Sequence, residues 1–73
     1  MSSCLITLRS LTYAMKAQKL LKERGIDAAS VKLDGEYSRK GCGYGVRFDI
    51  RLRRQAEQIM RENGIPYSDI KTL

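Results

Sequence analysis

The stretch AQKLLKERGI, residues 17–26, returns 39 positions later as AEQIMRENGI, residues 56–65. In both copies apolar side chains recur every three to four residues, which is the spacing of an amphipathic helix. Both patterns end at a glycine, Gly25 in the first copy and Gly64 in the second. Glycine readily takes the left-handed conformation that ends many helices. The sequence therefore predicts two helices of the same design.

A capping residue marks the start of each predicted helix. Ser10 precedes the first helix, predicted from about Leu11 to Arg24, and Asp49 precedes the second. Side-chain oxygens of Ser and Asp accept hydrogen bonds from the free N–H groups of a first helical turn. We expect the apolar face of the first helix to contain Leu11, Ala14, Met15, Ala17, Leu20 and Leu21.

Strand patterns flank both helices. Strand-forming or alternating residues occupy about 4–9, 29–34, 43–48 and 67–73. In the second strand Ala29, Val31 and Leu33 alternate with polar residues, so we expect these three side chains to form one buried face.

Two copies of strand–helix–strand, about residues 4–34 and 43–73, make the order βαββαβ. We therefore predict an α+β class with a ferredoxin-like fold, in which two helices cover one face of a four-stranded antiparallel sheet. The 73 residues are expected to form a single domain.

The composition limits the classes of partner and location. Fourteen Lys and Arg against eight Asp and Glu give a formal charge of +6, which favours acidic or anionic partners without identifying them. No apolar run approaches the roughly 20 residues that cross a bilayer. The N-terminal stretch lacks the pattern of a signal peptide, so we expect a cytoplasmic protein with reduced thiols and no membrane association.

The chain has two cysteines and no histidine. A Cys-His or Ser-His catalytic pair is excluded within the chain because no imidazole is present. The ligand set of a zinc site is missing as well. We expect neither a metal nor a cofactor.

The candidate site is the stretch Lys40-Gly41-Cys42-Gly43-Tyr44-Gly45. Glycine has no β-carbon, so backbone N–H groups in this stretch can approach an anion such as a thiolate. The predicted topology places the stretch at the same edge as the first helical turn, including Ser10 and Thr12, whose free N–H groups also favour an anion.

Arg9, Arg39 and Lys40 are expected to add positive charge near Cys42. Together with the helix terminus, these neighbours would favour the thiolate over the thiol. The structural alternative is a tight loop in which cysteine is present because it is small. Cys4 falls at the other end of the fold, so we expect it to be a packed residue that forms no disulfide.

Arg51, Arg53 and Arg54 lie in the first turns of the second helix, where basic residues oppose the helix dipole. This arrangement makes them a candidate binding surface for a partner, because breaches of local rules often mark function. The alternative is the solvated face of a basic protein.

Residues 38–48, SRKGCGYGVRF, resemble the small selenium/sulfur carrier-like domain family. Such domains begin with an apolar strand, a short turn and a helix with Ala and Lys, here residues 10–17. A Cys-Gly pair, here Cys42-Gly43, then precedes an apolar strand that ends in Arg-Phe or similar. The resemblance covers essentially the whole chain. Many members have proline-rich, Arg-containing residues before Cys-Gly, whereas this chain has DGEY at residues 34–37.

The resemblance implies a carrier protein rather than a catalyst. Cys42 would hold sulfur as a persulfide, or selenium as the analogous species, and pass it from a donor protein to an acceptor protein. No cofactor is needed because the cargo is bound covalently.

Two other readings come from different classes of protein. The first is a non-catalytic interaction or regulatory module with an inert Cys42. The second is an RRM-like RNA-binding domain, since residues 40–48 partly match the RRM signature. That match requires Gly45 to be an extra residue, and Tyr44 and Phe48 are expected to face the helices, so we do not expect a nucleic acid partner. An outer strand could also pair with its copy and form a homodimer.

Overall fold

The computed structural model describes residues 2–35, 41 and 43–73. The elements are β1 (Ser3–Leu8), α1 (Leu11–Glu23), β2 (Ala29–Lys32), β3 (Tyr44–Asp49), a 3-10 turn (Ile50–Leu52), α2 (Arg53–Glu62) and β4 (Asp69–Thr72). The strands form one antiparallel sheet in the order β2-β3-β1-β4. This is the predicted ferredoxin-like α+β arrangement, which is confirmed.

Both helices cover the same face of the sheet. Side chains at alternate positions of the two central strands are buried in one hydrophobic core with side chains from both helices. The core residues of β1 are Cys4, Ile6 and Leu8, and those of β3 are Val46 and Phe48. The prediction that Phe48 faces the helices is therefore confirmed.

The two helices end in the same way, as the sequence repeat predicts. At the end of α1, the backbone N–H of Ile26 donates to the carbonyl of Leu21 over 2.9 Å. At the end of α2, Ile65 donates to Met60 over 3.0 Å. Gly25 and Gly64 have positive φ angles of 82° and 62°, as this left-handed ending requires.

The predicted helix caps are also present. The Ser10 hydroxyl oxygen accepts from the N–H of Tyr13 over 3.2 Å. The Asp49 carboxylate accepts from the N–H of Arg51 over 2.9 Å at the start of the 3-10 turn. The second helical segment therefore begins with one tighter turn before α2.

The predicted apolar face of α1 is partly wrong. Ala14, Ala17 and Leu21 are buried, but Leu11 is 47% exposed and Met15 is 58% exposed. A helix turns about 100° per residue, so Met15 points to the side of α1 when Ala14 points at the sheet. The sheet covers only a narrow stripe of the helix, and Leu11 and Met15 lie outside it.

The buried face predicted for β2 is also wrong. Val31 is paired with Gly45 and Gly45 with Thr7, and this row lies on the face of the sheet opposite the helices. Ala29 is exposed, whereas Val31 and Leu33 are half-buried on that open face. The alternation in β2 correctly predicts that Val31 and Leu33 share one face of the strand. It does not indicate which face of the sheet the helices cover.

Gly45 explains how apolar side chains pack on the open face. A β-carbon at Gly45 would lie 2.8 Å from Cδ1 of Leu5, 3.3 Å from Cδ1 of Leu33 and 3.0 Å from the carbonyl oxygen of Ile6. Leu5, although it points away from the helices, is buried. The bare backbone of Gly45 therefore gives Leu5 and Leu33 the space to pack over β3.

We predict that Gly45→Ala lowers the free energy of unfolding by about 2 kcal/mol, because the added methyl group overpacks this contact. Gly43→Ala is the matched control, since a β-carbon there meets nothing within 4 Å and the residue has no positive φ. We expect the control to change stability by no more than ~0.5 kcal/mol. Urea unfolding of the two variants measures both values. Equal stability of the variants would contradict the packing role of Gly45.

Candidate functional site

The sheet topology gathers the candidate site at one edge. Leu8 at the end of β1 pairs with Tyr44 at the start of β3. The start of α1 and the end of β2 lie at the same edge, because β2 runs antiparallel to β3. Cys42, Arg39 and Lys40 fall outside the described residues. The residues that flank Cys42 can be described.

The glycines around Cys42 differ in conformation. Gly41 has a positive φ of 83°, whereas Gly43 and Gly45 do not. The carbonyl of Gly43 accepts a hydrogen bond from the N–H of Leu33 over 2.9 Å, which extends the pairing of β2 with β3. A left-handed residue thus precedes Cys42, and the sheet resumes directly after it.

Tyr44 and Gly45 belong both to the candidate stretch and to the predicted third strand, and the structure places both inside β3. Tyr44 is half-buried and packs against the core, and Gly45 is buried between its paired strands. Of the described residues in the candidate stretch, only Gly41 and Gly43 therefore lie outside a helix or strand.

The first turn of α1 lies at this edge, as expected. Leu8 is paired with Tyr44 in antiparallel strands. The residues after Leu8, Arg9 and Ser10, therefore lie at the same edge as Gly43, the residue before Tyr44. The Ser10 hydroxyl caps the N–H of Tyr13 and the Ser10 carbonyl accepts from Ala14 over 3.1 Å. The Ser10 side chain thus has a capping role in the helix. Thr12 is exposed in the first turn.

A pocket of about 480 Å³ opens beside this edge. We call it the Arg9 pocket, and its described lining residues are Arg9, Tyr13, Pro66, Tyr67 and Ser68. The backbone N–H of Ser68 donates to the carbonyl of Thr7 over 2.8 Å, which fixes the wall of the pocket against the end of β1. The sequence indicates Arg9 only as a positive charge and gives no sign of the pocket, because the walls of the pocket come from two distant segments.

The other cysteine belongs to the core. Cys4 is fully buried, is opposite Phe48 in the β1–β3 ladder and is a free thiol. The prediction that Cys4 is a packed residue is therefore confirmed. A reagent that reacts with folded protein will not reach this side chain.

The candidate binding surface of Arg51, Arg53 and Arg54 lies at the opposite end of the sheet, beyond the pairing of Ser3 with Asp49. The Arg51 guanidinium donates to the Asp49 carboxylate at 2.8 Å. Arg53 donates to Glu57 at 3.2 Å one turn further along α2. These ion pairs neutralise two of the three arginines locally. Arg54 is exposed and forms no ion pair with any described residue.

The match to known proteins covers nearly all of this fold. Residues 3–71 match the model of a family described as "Putative Se/S carrier protein-like". The chain belongs to this family. The match includes the Cys42-Gly43 pair, β1 to β3 and all of β4 except its last residue. Neither the search of curated proteins nor the search of solved structures gave a match.

No helix among the described residues is long and apolar enough to cross a bilayer. The described residues also contain no group of three or more Cys, Asp or Glu side chains that could hold a metal ion.

The ion pair with Arg51 predicts how Asp49 affects stability at low pH. Hydrogen bonds from the Arg51 side chain and backbone lower the pKa of Asp49 below its ordinary value. A lowered pKa in the folded state means that ionised Asp49 stabilises the fold above the pKa of the unfolded chain. This contribution is lost as the pH falls through the lower pKa of the folded state.

We therefore expect the stability advantage of the native chain over Asp49→Asn to shrink as the pH falls from neutral to about 2. The asparagine keeps a capping oxygen but carries no charge, so it isolates the ionic contribution. Urea unfolding of both proteins across this range measures the difference. A difference that does not change with pH would contradict a stabilising charge at Asp49.

Proposed function

We propose that the protein is a carrier that holds sulfur or selenium covalently on Cys42. The observation that carries the proposal is membership of the Se/S carrier-like family over residues 3–71. Two features of the described structure support it: a left-handed glycine directly before Cys42, and the start of a capped helix at the same edge of the sheet. A carrier, unlike a hydrolase, needs no general base, which fits a chain without histidine.

The chemistry is an exchange that needs no external oxidant or reductant. The Cys42 thiolate attacks the outer sulfur of a persulfide donor, R–S–SH. The new bond joins the two sulfur atoms, the donor's S–S bond breaks, and R–S⁻ leaves with the electron pair. The product is a Cys42 persulfide. An acceptor thiolate then attacks its outer sulfur, and Cys42 is regenerated as the leaving thiolate.

We expect the groups around Cys42 to stabilise its anionic sulfur both when Cys42 accepts the cargo and when it releases the cargo. The N-terminus of α1 carries partial positive charge. The chain as a whole has a formal charge of +6, which attracts anionic partners at long range. We assign Gly41, Gly43 and the first turn of α1 to stabilising the thiolate or persulfide.

The function requires a donor and an acceptor of sulfur or selenium, and partner proteins can fill either role. A reducing compartment such as the cytoplasm suits a thiol carrier. Arg39, Lys40 and the exposed Arg54 are candidates for contacting acidic partners. The cargo is covalent, so the mechanism uses no separate cofactor.

The structure gives no support to the RNA-binding alternative. The RRM mode stacks bases on aromatic side chains of the open sheet face. Here Tyr44 and Phe48 lie on the helix-facing side with the core. The four strands place no aromatic side chain on the open face. An interaction module with an inert Cys42 is the alternative that experiment must separate from a carrier.

We predict that incubation with a low-molecular-mass persulfide adds one sulfur atom to the protein, and that Cys42→Ser abolishes the gain. Intact mass spectrometry measures the addition. Cys4→Ala is the matched control, because Cys4 is fully buried, and this variant should still gain one sulfur. Unchanged mass of the folded native protein would overturn the carrier function and favour the interaction module.

We also predict that Cys42 is alkylated rapidly at pH values well below 8.5, the approximate pKa of an unperturbed thiol. The helix terminus and nearby positive charge should favour the reactive thiolate. The rate of iodoacetamide labelling against pH gives the titration curve. A curve centred at or above the free-thiol value would refute thiolate stabilisation at this edge.

A further inference from the structure

The polar side chains that line the Arg9 pocket are open to solvent and to a ligand, since Arg9, Tyr13 and Ser68 are exposed and Tyr67 is half-buried. Arg9, Tyr13, Tyr67 and Ser68 line one concavity, and their side chains form no hydrogen bond or ion pair with any described residue. A guanidinium in a pocket without an acidic partner is available to bind an anion in a bidentate manner. Both tyrosine hydroxyls can donate as well.

The acidic residue that adjoins the pocket lining in the sequence forms no ion pair with Arg9. Asp69 directly follows Ser68, but its carboxylate accepts a hydrogen bond from the N–H of Ile70 over 2.8 Å. Asp69 is also not among the residues that line the pocket. Among the described residues that line the pocket, Arg9 is the only one with a formal charge.

The lining of the pocket indicates what chemical group the ligand carries beside its anionic group. The rings of Tyr13 and Tyr67, with Pro66, supply apolar walls around the polar groups. The single positive charge of the Arg9 guanidinium balances the single negative charge of a carboxylate. A phosphate dianion would keep one unbalanced negative charge among the neutral lining residues. A small carboxylate with an apolar or planar body fits these features best.

The pocket lies at the same edge of the sheet as Gly43, the residue after Cys42. Leu8 pairs with Tyr44, Arg9 follows Leu8, and Gly43 precedes Tyr44. Adjacent strands are about 4.8 Å apart, so the backbones of Arg9 and Gly43 are close neighbours at the same edge. A small molecule held by Arg9 would therefore lie close to Gly43, the residue that follows Cys42 in the sequence.

We propose that the Arg9 pocket binds the carboxylate of a small organic donor, and so holds its sulfur near Cys42. The binding site stands on the pocket itself, while its use in loading rests on the proposed carrier function. Arg9 is then a specificity-determining residue for a carboxylate-bearing low-molecular-mass persulfide.

Binding is tested in Cys42→Ser protein, so that no thiol chemistry contributes. The probes are benzoate, its neutral counterpart benzamide, and phenyl phosphate, followed by two-dimensional ¹H–¹⁵N NMR. We expect benzoate to shift the amide signals of Arg9, Tyr13, Tyr67 and Ser68 and to bind more tightly than either other probe. Arg9→Gln should weaken benzoate binding about tenfold or more. Arg24→Gln removes the same charge from an exposed position at the other end of α1 and should leave binding unchanged.

Two results would overturn the site. Equal affinity of Arg9→Gln and the parent for benzoate would mean that Arg9 does not bind the carboxylate. Tighter binding of phenyl phosphate than of benzoate would refute the carboxylate assignment.

The link to Cys42 is tested with two aromatic disulfides in protein that retains the thiol. One, 5,5′-dithiobis(2-nitrobenzoate), carries carboxylates, and the other, 2,2′-dithiodipyridine, is neutral. Arg9→Gln should lower the rate ratio of the charged to the neutral reagent several-fold, and Arg24→Gln should not. An unchanged ratio would refute the coupling of the pocket to Cys42. Sulfur uptake without benzoate binding would defeat only this inference, and benzoate binding without sulfur uptake would defeat only the carrier function.

Discussion

The antiparallel pairing of β1 with β3 is the constraint on which the rest of this structure depends. The ladder runs from Ser3 opposite Asp49 to Leu8 opposite Tyr44 and joins segments about 40 residues apart. Because both strands are central in the sheet, their side chains are buried on the helix-facing side and, around Gly45, on the open side as well. The ladder also fixes which loops meet at each edge.

The two edges consequently have different chemistry. At one edge the ladder brings together Gly43, Arg9 and the start of α1, and the cysteine loop is attached there. At the other edge Asp49 caps the 3-10 turn and pairs with Arg51, and α2 continues with a second ion pair. Arg51 and Arg53 at this second edge are paired with acidic side chains, whereas Arg9 at the first edge forms no ion pair with any residue that the structure describes. This asymmetry favours the cysteine edge as the functional one.

Sequence patterns predict the helices and turns here better than the faces of the strands. Residues 39 positions apart form equivalent helix endings: Ile26 and Ile65 each donate a backbone hydrogen bond to the carbonyl five residues earlier. The same offset matches Val31 with Ile70, yet Val31 lies on the open face and Ile70 packs against the core. Each strand's face depends on its register with its neighbours, which no local pattern contains. The Cys42 loop could be recognised from one short stretch, but the Arg9 pocket could not, because the fold assembles it from residues more than 50 positions apart.

A carrier must release its cargo as well as accept it, and this distinguishes it from any protein whose cysteine is merely modified. The most direct measurement is therefore the discharge of sulfur-loaded protein by a small acceptor thiol, followed by intact mass over time. The account predicts that the loaded protein loses one sulfur, returns to its original mass, and can be loaded again to the same extent. Loaded protein that keeps its sulfur, or that returns with Cys42 irreversibly modified, would contradict a carrier function.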